Sequence, residues 1–177
     1  MGQMDTHART RHAKTGIVFY SRSGYSKRVA QRLADMLNGT LIEIDAPAYK
    51  RPILGYLHAG FDSVRQVCKL PPQTFTPLSD YDRVILCGPV WTSYPATPLR
   101  ALLRSDPSLP DAVALCLTSG GHSHFQAAVD AGTADLGRAF SAVASFPNEF
   151  EGTETEHRIL ERFINDLGNA ERSMIAN

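Results

Sequence analysis

The hydroxyl-rich segment Ser21-Arg22-Ser23-Gly24-Tyr25-Ser26 has the residue types to grip an anion. It stands between an apolar run at 16–20 and an amphipathic stretch, so it is expected to turn a strand into a helix. At such a turn the hydroxyls of Ser21, Ser23 and Ser26 and the open N–H groups of the first helical turn can converge on one phosphate, with the helix dipole adding favourable charge. Gly24 lets the backbone approach closely. The spacing is neither Gly-x-x-x-x-Gly-Lys-Ser/Thr nor Gly-x-Gly-x-x-Gly, which makes nucleoside triphosphates and NAD poor candidates for this loop. Ser and Gly are also ordinary cap and turn residues, so a plain helix cap is the competing reading.

Two further segments carry ligand-binding residue types. Pro89-Val90-Trp91-Thr92-Ser93-Tyr94-Pro95 gathers the single Trp, a Tyr and several polar atoms, which suits a flat ring. Packing at a sheet edge is the alternative for Trp91, and Tyr94 reads equally as a lid side chain or an exposed aromatic. Thr118-Ser119-Gly120-Gly121-His122 pairs two glycines that allow backbone N–H groups close to a ligand. A donor from His122 or His124 can stabilise negative charge there, although histidines near a helix start are often simply exposed.

Holding these segments together requires a sheet. Strand-like runs at 16–20, 40–44, 83–89 and 112–118, with a weaker one at 142–146, alternate with helical patterns. The first helix shows Val29, Leu33, Met36 and Leu37 on one face and Ser26, Arg28, Gln31, Arg32 and Asp35 on its wet side. A helix interrupted by Gly55 and Gly60 is expected over 53–67, after Tyr49 and a solvated Lys50 and Arg51. Thr97 and Pro98 form a cap and first-turn pair ahead of Leu99, Leu102 and Leu103, and that helix should end near Ser105. The last helix opens with a Thr153/Glu156 capping box, buries Ile159, Leu160, Phe163, Ile164 and Leu167, and should stop at Gly168. Strands apolar on both faces and alternating with helices predict a parallel sheet covered on both sides. Ligands of such sheets sit beyond the carboxyl ends of the strands, so the three segments should line one crevice.

Composition bounds the rest. The 177 residues suffice for one domain with a substantial core and no disulfides or structural metal. Lys plus Arg equals Asp plus Glu, 18 against 18, so the electrostatic footprint of a nucleic-acid binder is missing and phosphate recognition should be local. Residues 1–14 read as a flexible leader and 15–170 as a single domain. No stretch approaches the roughly 18 apolar residues of a membrane span or the apolar core of a signal peptide, which makes the cytoplasm the default compartment. Cys68, Cys87 and Cys116 fit neither a disulfide framework nor a zinc site and read as small buried apolar residues. Cys87 and Cys116 are expected to be neighbours in adjacent strands, with a redox pair as the alternative.

Taken together, these segments resemble the flavodoxin-like FMN-binding family over nearly the whole chain after the leader. SRSGYS is similar to its Thr/Ser-x-Thr/Ser-Gly-x-Thr/Ser phosphate loop, YDRVILCGPVWTSYPATPLRALL to its third strand, ring-contacting loop and third helix, and LTSGG to its fourth-strand loop. The likeness continues in YKRPILGYLHAGFDSV. It implies an α/β three-layer sandwich, a five-stranded parallel sheet of order 2-1-3-4-5 with helices on both faces. It also implies that Ser21, Arg22, Ser23, Gly24, Tyr25 and Ser26 hold the FMN phosphate and that Pro89, Val90, Trp91 and Thr92 line the isoalloxazine. Ser119, Gly120 and Gly121 would meet its polar edge, with His122 as a modulator. The family's usual Asn in the phosphate loop is Tyr25 here, a bulky side chain expected to cover the ribityl chain or narrow the site. The long connection ending in PPQTFTP is expected to cap the flavin or to pack against a second subunit in a homodimer.

FMN brings the redox chemistry, so neither a protein nucleophile nor a metal is expected. One use of the resemblance is an oxidoreductase in which NAD(P)H reduces the flavin and a quinone-like small molecule accepts the electrons. Another is an electron carrier between redox proteins. Carriers of this family typically present a strongly acidic docking face, and the neutral balance of this chain favours the oxidoreductase. A third reading is an FMN-free module with a binding or regulatory role, against which the retention of all three loops argues. Neither nucleic acid nor membrane is an expected partner.

Overall fold

The computed structural model describes residues 13–47, 77–105, 107–120 and 124–175. The leader at 1–12, the helix expected over 53–67 with Tyr49, Lys50 and Arg51 before it, Cys68, most of PPQTFTP, Gly121 and His122 lie outside the described residues.

Strand β1 (Thr15–Phe19) leads through the serine loop into α1 (Tyr25–Leu37), and β2 (Thr40–Glu43) follows. After a 3-10 turn at Leu78–Asp80 come β3 (Arg83–Trp91), the two-residue β4 (Tyr94–Pro95), α2 (Thr97–Arg104), β5 (Ala112–Ser119) and α3 (Phe125–Leu136). The chain closes with β6 (Val143–Pro147), a 3-10 turn at Asn148–Phe150 and α4 (Glu154–Ile175). The five longer strands pair in parallel in the order β2-β1-β3-β5-β6, which is the expected topology. The extra strand is β4, an antiparallel arm folded onto the end of β3. It forms because β3 continues past Pro89 to Trp91, two residues beyond the expected end.

Alternation along the strands divides the core into two layers. Ile17, Phe19, Ile85, Cys87, Ala114 and Cys116 point to one face, where Val29 and Leu33 of α1 and Leu160 and Phe163 of α4 cover them. Val18, Val84, Leu86, Val113, Leu115 and Leu117 point to the other, with Leu99 and Leu102 of α2 and Ala128 of α3. Burying each such side chain contributes about 1.5–3 kcal/mol, and with both faces sealed the loops at the strand ends are left as the place for chemistry.

Local readings differ from the structure at four positions. Met36 is 44% exposed, because α1 rests on the small side chains Ala30 and Ala34 and leaves Met36 at the edge of its buried stripe. Ser26, expected on the wet side, is buried, since the start of α1 lies against the strand ends. The N-cap of α2 is Ala96, with Thr97 in the first turn and its hydroxyl buried without a partner. Finally, α4 does not stop at Gly168 but runs to Ile175.

Tertiary contact overrides the glycine in α4. Leu167 is buried, and Glu171 accepts a hydrogen bond from Arg83 Nη1 at 2.7 Å while Arg83 Nε donates to Thr15 Oγ1 at 2.7 Å, tying the last turns to the amino ends of β1 and β3. A Cβ at Gly168 would meet nothing within 4 Å. Gly168→Ala is therefore expected to stabilise the fold by about 0.5–1 kcal/mol, read as a higher urea midpoint; a lower midpoint would mean the glycine serves packing.

Candidate functional site

The loops after β1, β3, β5 and β6 surround a cavity of about 400 Å³ at the carboxyl ends of the strands. Its first side comes from the serine loop. Gly24, at φ 98°, takes the left-handed conformation and is the N-cap of α1. Its N–H donates to Ser21 Oγ at 3.1 Å, and its carbonyl accepts the first helical bond, from Arg28 N–H at 3.0 Å. No side chain caps this helix, so its first N–H groups are presented to whatever the loop encloses. Arg22, Ser23, Tyr25 and Ser26 line the cavity, whereas Ser21 and Gly24 shape the loop behind them.

Ser26 is paired in depth. Its Oγ lies 2.7 Å from Thr118 Oγ1, both buried and both lining the cavity. Its carbonyl accepts from Cys87 Sγ at 3.4 Å. Cys87 and Cys116 are direct partners in the β3–β5 register, as expected. Burial pushes the Cys87 thiol up to about 12, and burial together with Cys87 pushes Cys116 well above its ordinary value. Both thiols are free and buried, as expected of small apolar core residues.

Pro89, Val90 and Trp91 form the apolar side. Trp91 lines the cavity, and its ring meets Tyr20 at right angles with 5.6 Å between centroids. Thr92 and Ser93 are the central residues of the β3–β4 turn, with φ of 45° and 68°. Positive φ at both positions is the geometry that hairpins prefer, yet Asn and Gly usually supply it. Thr92 is exposed at the tip, outside the cavity lining.

Tyr94 is no lid. Its ring lies over the Arg100 guanidinium, 5.0 Å from Cζ to centroid. Arg100, on α2, is buried and paired through Nε and Nη2 with Asp135 of α3, and Arg104 Nε reaches the same carboxylate at 2.7 Å. The hairpin that carries Trp91 is thus backed by an ion pair between α2 and α3.

Ser119 and Gly120 supply the third side, as expected, while Gly121 and His122 lie outside the described residues. His124 is exposed at the start of α3 and does not line the cavity. Of the two expectations for Tyr25, a cover over the site or a narrowing of it, the structure corrects the first: the residue lines the cavity without crossing it. Its side chain is buried and turned toward α4, where its hydroxyl meets Glu156 Oε1 at 2.9 Å and the Pro147 carbonyl at 3.2 Å, so it does not lie across the cavity as a cover. Burial and the Glu156 carboxylate raise its pKa far above the ordinary phenol value, which fixes it as a neutral donor.

No protein-family model matches the sequence, and comparison with curated proteins gives no match. Solved structures do match. A flavoprotein of Lactobacillus acidophilus NCFM in complex with FMN superposes with a TM-score of 0.61 over 78% of this chain and 95% of its own, at 23% identity. The flavodoxin of Streptococcus pneumonia TIGR4 gives 0.57 over 89% and 99%, at 14% identity. The fold is flavodoxin-like. The same fold occurs within the longer rubredoxin oxygen:oxidoreductase of Desulfovibrio gigas, with a TM-score of 0.59 over 93% of this chain and 37% of that one, at 14% identity.

Within this flavodoxin-like frame one lining residue lies outside the three segments, Asn148, which follows β6, the weakest of the strand-like runs. Thr118 opens the third segment, and the structure adds its hydroxyl to the lining. Among the described residues no helix is long and apolar enough to cross a membrane.

Proposed function

We propose that the protein is an FMN-dependent oxidoreductase that takes reducing equivalents from NAD(P)H and delivers them to a quinone-like small molecule. The observation that carries this reading is one cavity lined by two unlike sets of groups. An uncapped helix start with serine hydroxyls and Arg22 supplies one, and the apolar residues Pro89, Val90 and Trp91 supply the other. An amphipathic ligand with a phosphate and a flat ring matches that pairing, and about 400 Å³ lies in the range of cofactor pockets. Ser23, Ser26 and Arg22 would hold the phosphate, with Pro89, Val90 and Trp91 against the ring and Ser119 and Gly120 at its polar edge. FMN supplies hydride- and electron-accepting chemistry when bound. The protein contributes orientation, a water-poor apolar wall and local charge.

Charge supports an oxidoreductase over a carrier. Arg22 is the one charged side chain among the described residues lining the cavity, and the whole chain is neutral. A carrier that docks by electrostatic steering would be expected to concentrate charge of one sign near the exposed edge. The second reading, a flavodoxin-type carrier between redox proteins, is favoured by the likeness to the Streptococcus flavodoxin.

Colour and anaerobic titration separate the readings. The oxidoreductase reading expects purified protein that is yellow, or becomes so with FMN, and is bleached within seconds to minutes by NADH or NADPH. Yellow protein indifferent to both nucleotides but reducible one electron at a time would select the carrier. Protein that takes up no FMN would leave only a cofactor-free binding module.

A further inference from the structure

The β6–α4 connection is bound to α1 by one stripe of side chains. Tyr25, Arg28 and Arg32 stand at positions i, i+3 and i+7, on one face of the helix. Tyr25 reaches Pro147 and Glu156, Arg28 pairs with Glu151, and Arg32 pairs with Glu156. Arg28 also lies over the Tyr25 ring at 5.6 Å. Glu156 is only 3% exposed, and its Oε2 further accepts the Gly152 N–H at 3.1 Å. The Glu156 N–H donates to Thr153 Oγ1 at 3.4 Å, so half of the expected capping box is present while the carboxylate is directed to the phosphate loop. A buried carboxylate with a phenol, a guanidinium and a backbone donor is a fixed point rather than a surface ion pair.

What this fixed point holds is the residue after Pro147. Asn148 is exposed, carries the 3-10 turn whose Glu151 N–H returns to its carbonyl at 3.1 Å, and lines the cavity with Ser23 and Gly120. Its Nδ2 lies 3.5 Å from where a Cβ on Gly120 would stand. We propose that Tyr25, through Glu156, positions a fourth wall of the cavity from which Asn148 contacts the FMN phosphate beside the serine loop, a role that rests on FMN being the ligand. Tyr25 and Glu156 are positioning residues; Asn148 is the contact.

A double-mutant cycle in FMN and riboflavin affinity tests this, with thermal melting of each apo protein as the control. Asn148→Ala and Tyr25→Phe should each raise the Kd for FMN roughly tenfold while leaving riboflavin within about threefold, as expected for one contact to a charged group. In the Asn148→Ala background Tyr25→Phe should add less than about twofold, because the contact it positions is already gone. Additive losses, or equal losses for riboflavin, would reduce Tyr25 to a stability residue and overturn the proposal. Asn148→Asp needs no help from the fold, being on an exposed residue, and should repel the phosphate by at least about tenfold for FMN alone; unchanged FMN affinity in that variant also overturns it. Wild-type protein that binds no FMN would remove the cofactor reading itself, an outcome distinct from normal FMN binding without coupling.

Discussion

Asp135→Asn should destabilise the protein by about 3–5 kcal/mol, the loss associated with leaving a buried charge without its partner. The Arg100 and Asp135 side chains are 8% and 7% exposed. Asp135 takes both Nε and Nη2 of Arg100, and Nη1 is buried with no partner at all, so the guanidinium has no second acceptor to fall back on. An Asn in that place can accept one hydrogen bond but cannot neutralise the cation. Arg104, 41% exposed, can turn to water and is a minor part of the loss. Urea denaturation should show a lower midpoint with little change in slope, and melting should fall by roughly 10 °C or more. Arg100→Met combined with Asp135→Leu should recover most of the loss, because apolar replacement of a buried pair is often neutral. A loss under about 1 kcal/mol in Asp135→Asn would mean that water reaches the pair. The consequence extends to function, since Tyr94 rests on Arg100 and pairs across the hairpin with Trp91.

Sequence patterns revealed the frame because the frame depends on short-range order. Continuous apolar runs marked β1, β3 and β5, the central strands buried on both faces, and the alternation of strands with helical spacing was enough for the parallel sheet. Cys87 and Cys116 were legible as neighbours because each sits two residues before the end of its apolar run, 83–89 and 112–118, and the register pairs them. Patterns could not reveal long-range pairing of polar groups. Tyr25 and Glu156 are 131 positions apart, and each has a good local explanation, a loop residue and a capping-box residue, that conceals their contact. Arg100 lies off the stripe of Leu99, Leu102 and Leu103, so nothing local marks it as buried, and only α3 packing beside α2 encloses it with Asp135. Thr92 and Ser93 read as a polar loop, since neither is a usual residue for positive φ; the hairpin imposes that conformation on them.

If FMN is the ligand, as proposed, removing the hydroxyls of Ser23, Ser26 and Thr118 should weaken its binding by two orders of magnitude or more, and the order of their removal is informative. Ser23 stands alone on the cavity wall, whereas Ser26 and Thr118 share one hydrogen bond of 2.7 Å. Two hydroxyls carry two protons, and their mutual contact uses one. A single O–H remains to donate toward the ligand, whichever residue supplies it. Ser26→Ala or Thr118→Val alone therefore leaves one donor on the wall but also a buried hydroxyl without its partner, so stability should fall more clearly than affinity. Ser26→Ala with Thr118→Val reverses the balance: replacing both partners by apolar groups is nearly neutral for folding, and the shared donor is lost. With Ser23→Ala added, two charge-assisted hydrogen bonds are absent, worth about 1.5 kcal/mol each at the least, or roughly a hundredfold in Kd. Riboflavin, which lacks the phosphate, should bind the triple variant about as well as the parent. Equal losses for both ligands would place the phosphate away from these hydroxyls, and unchanged FMN affinity would leave it to the backbone N–H groups of α1, Arg22 and Asn148.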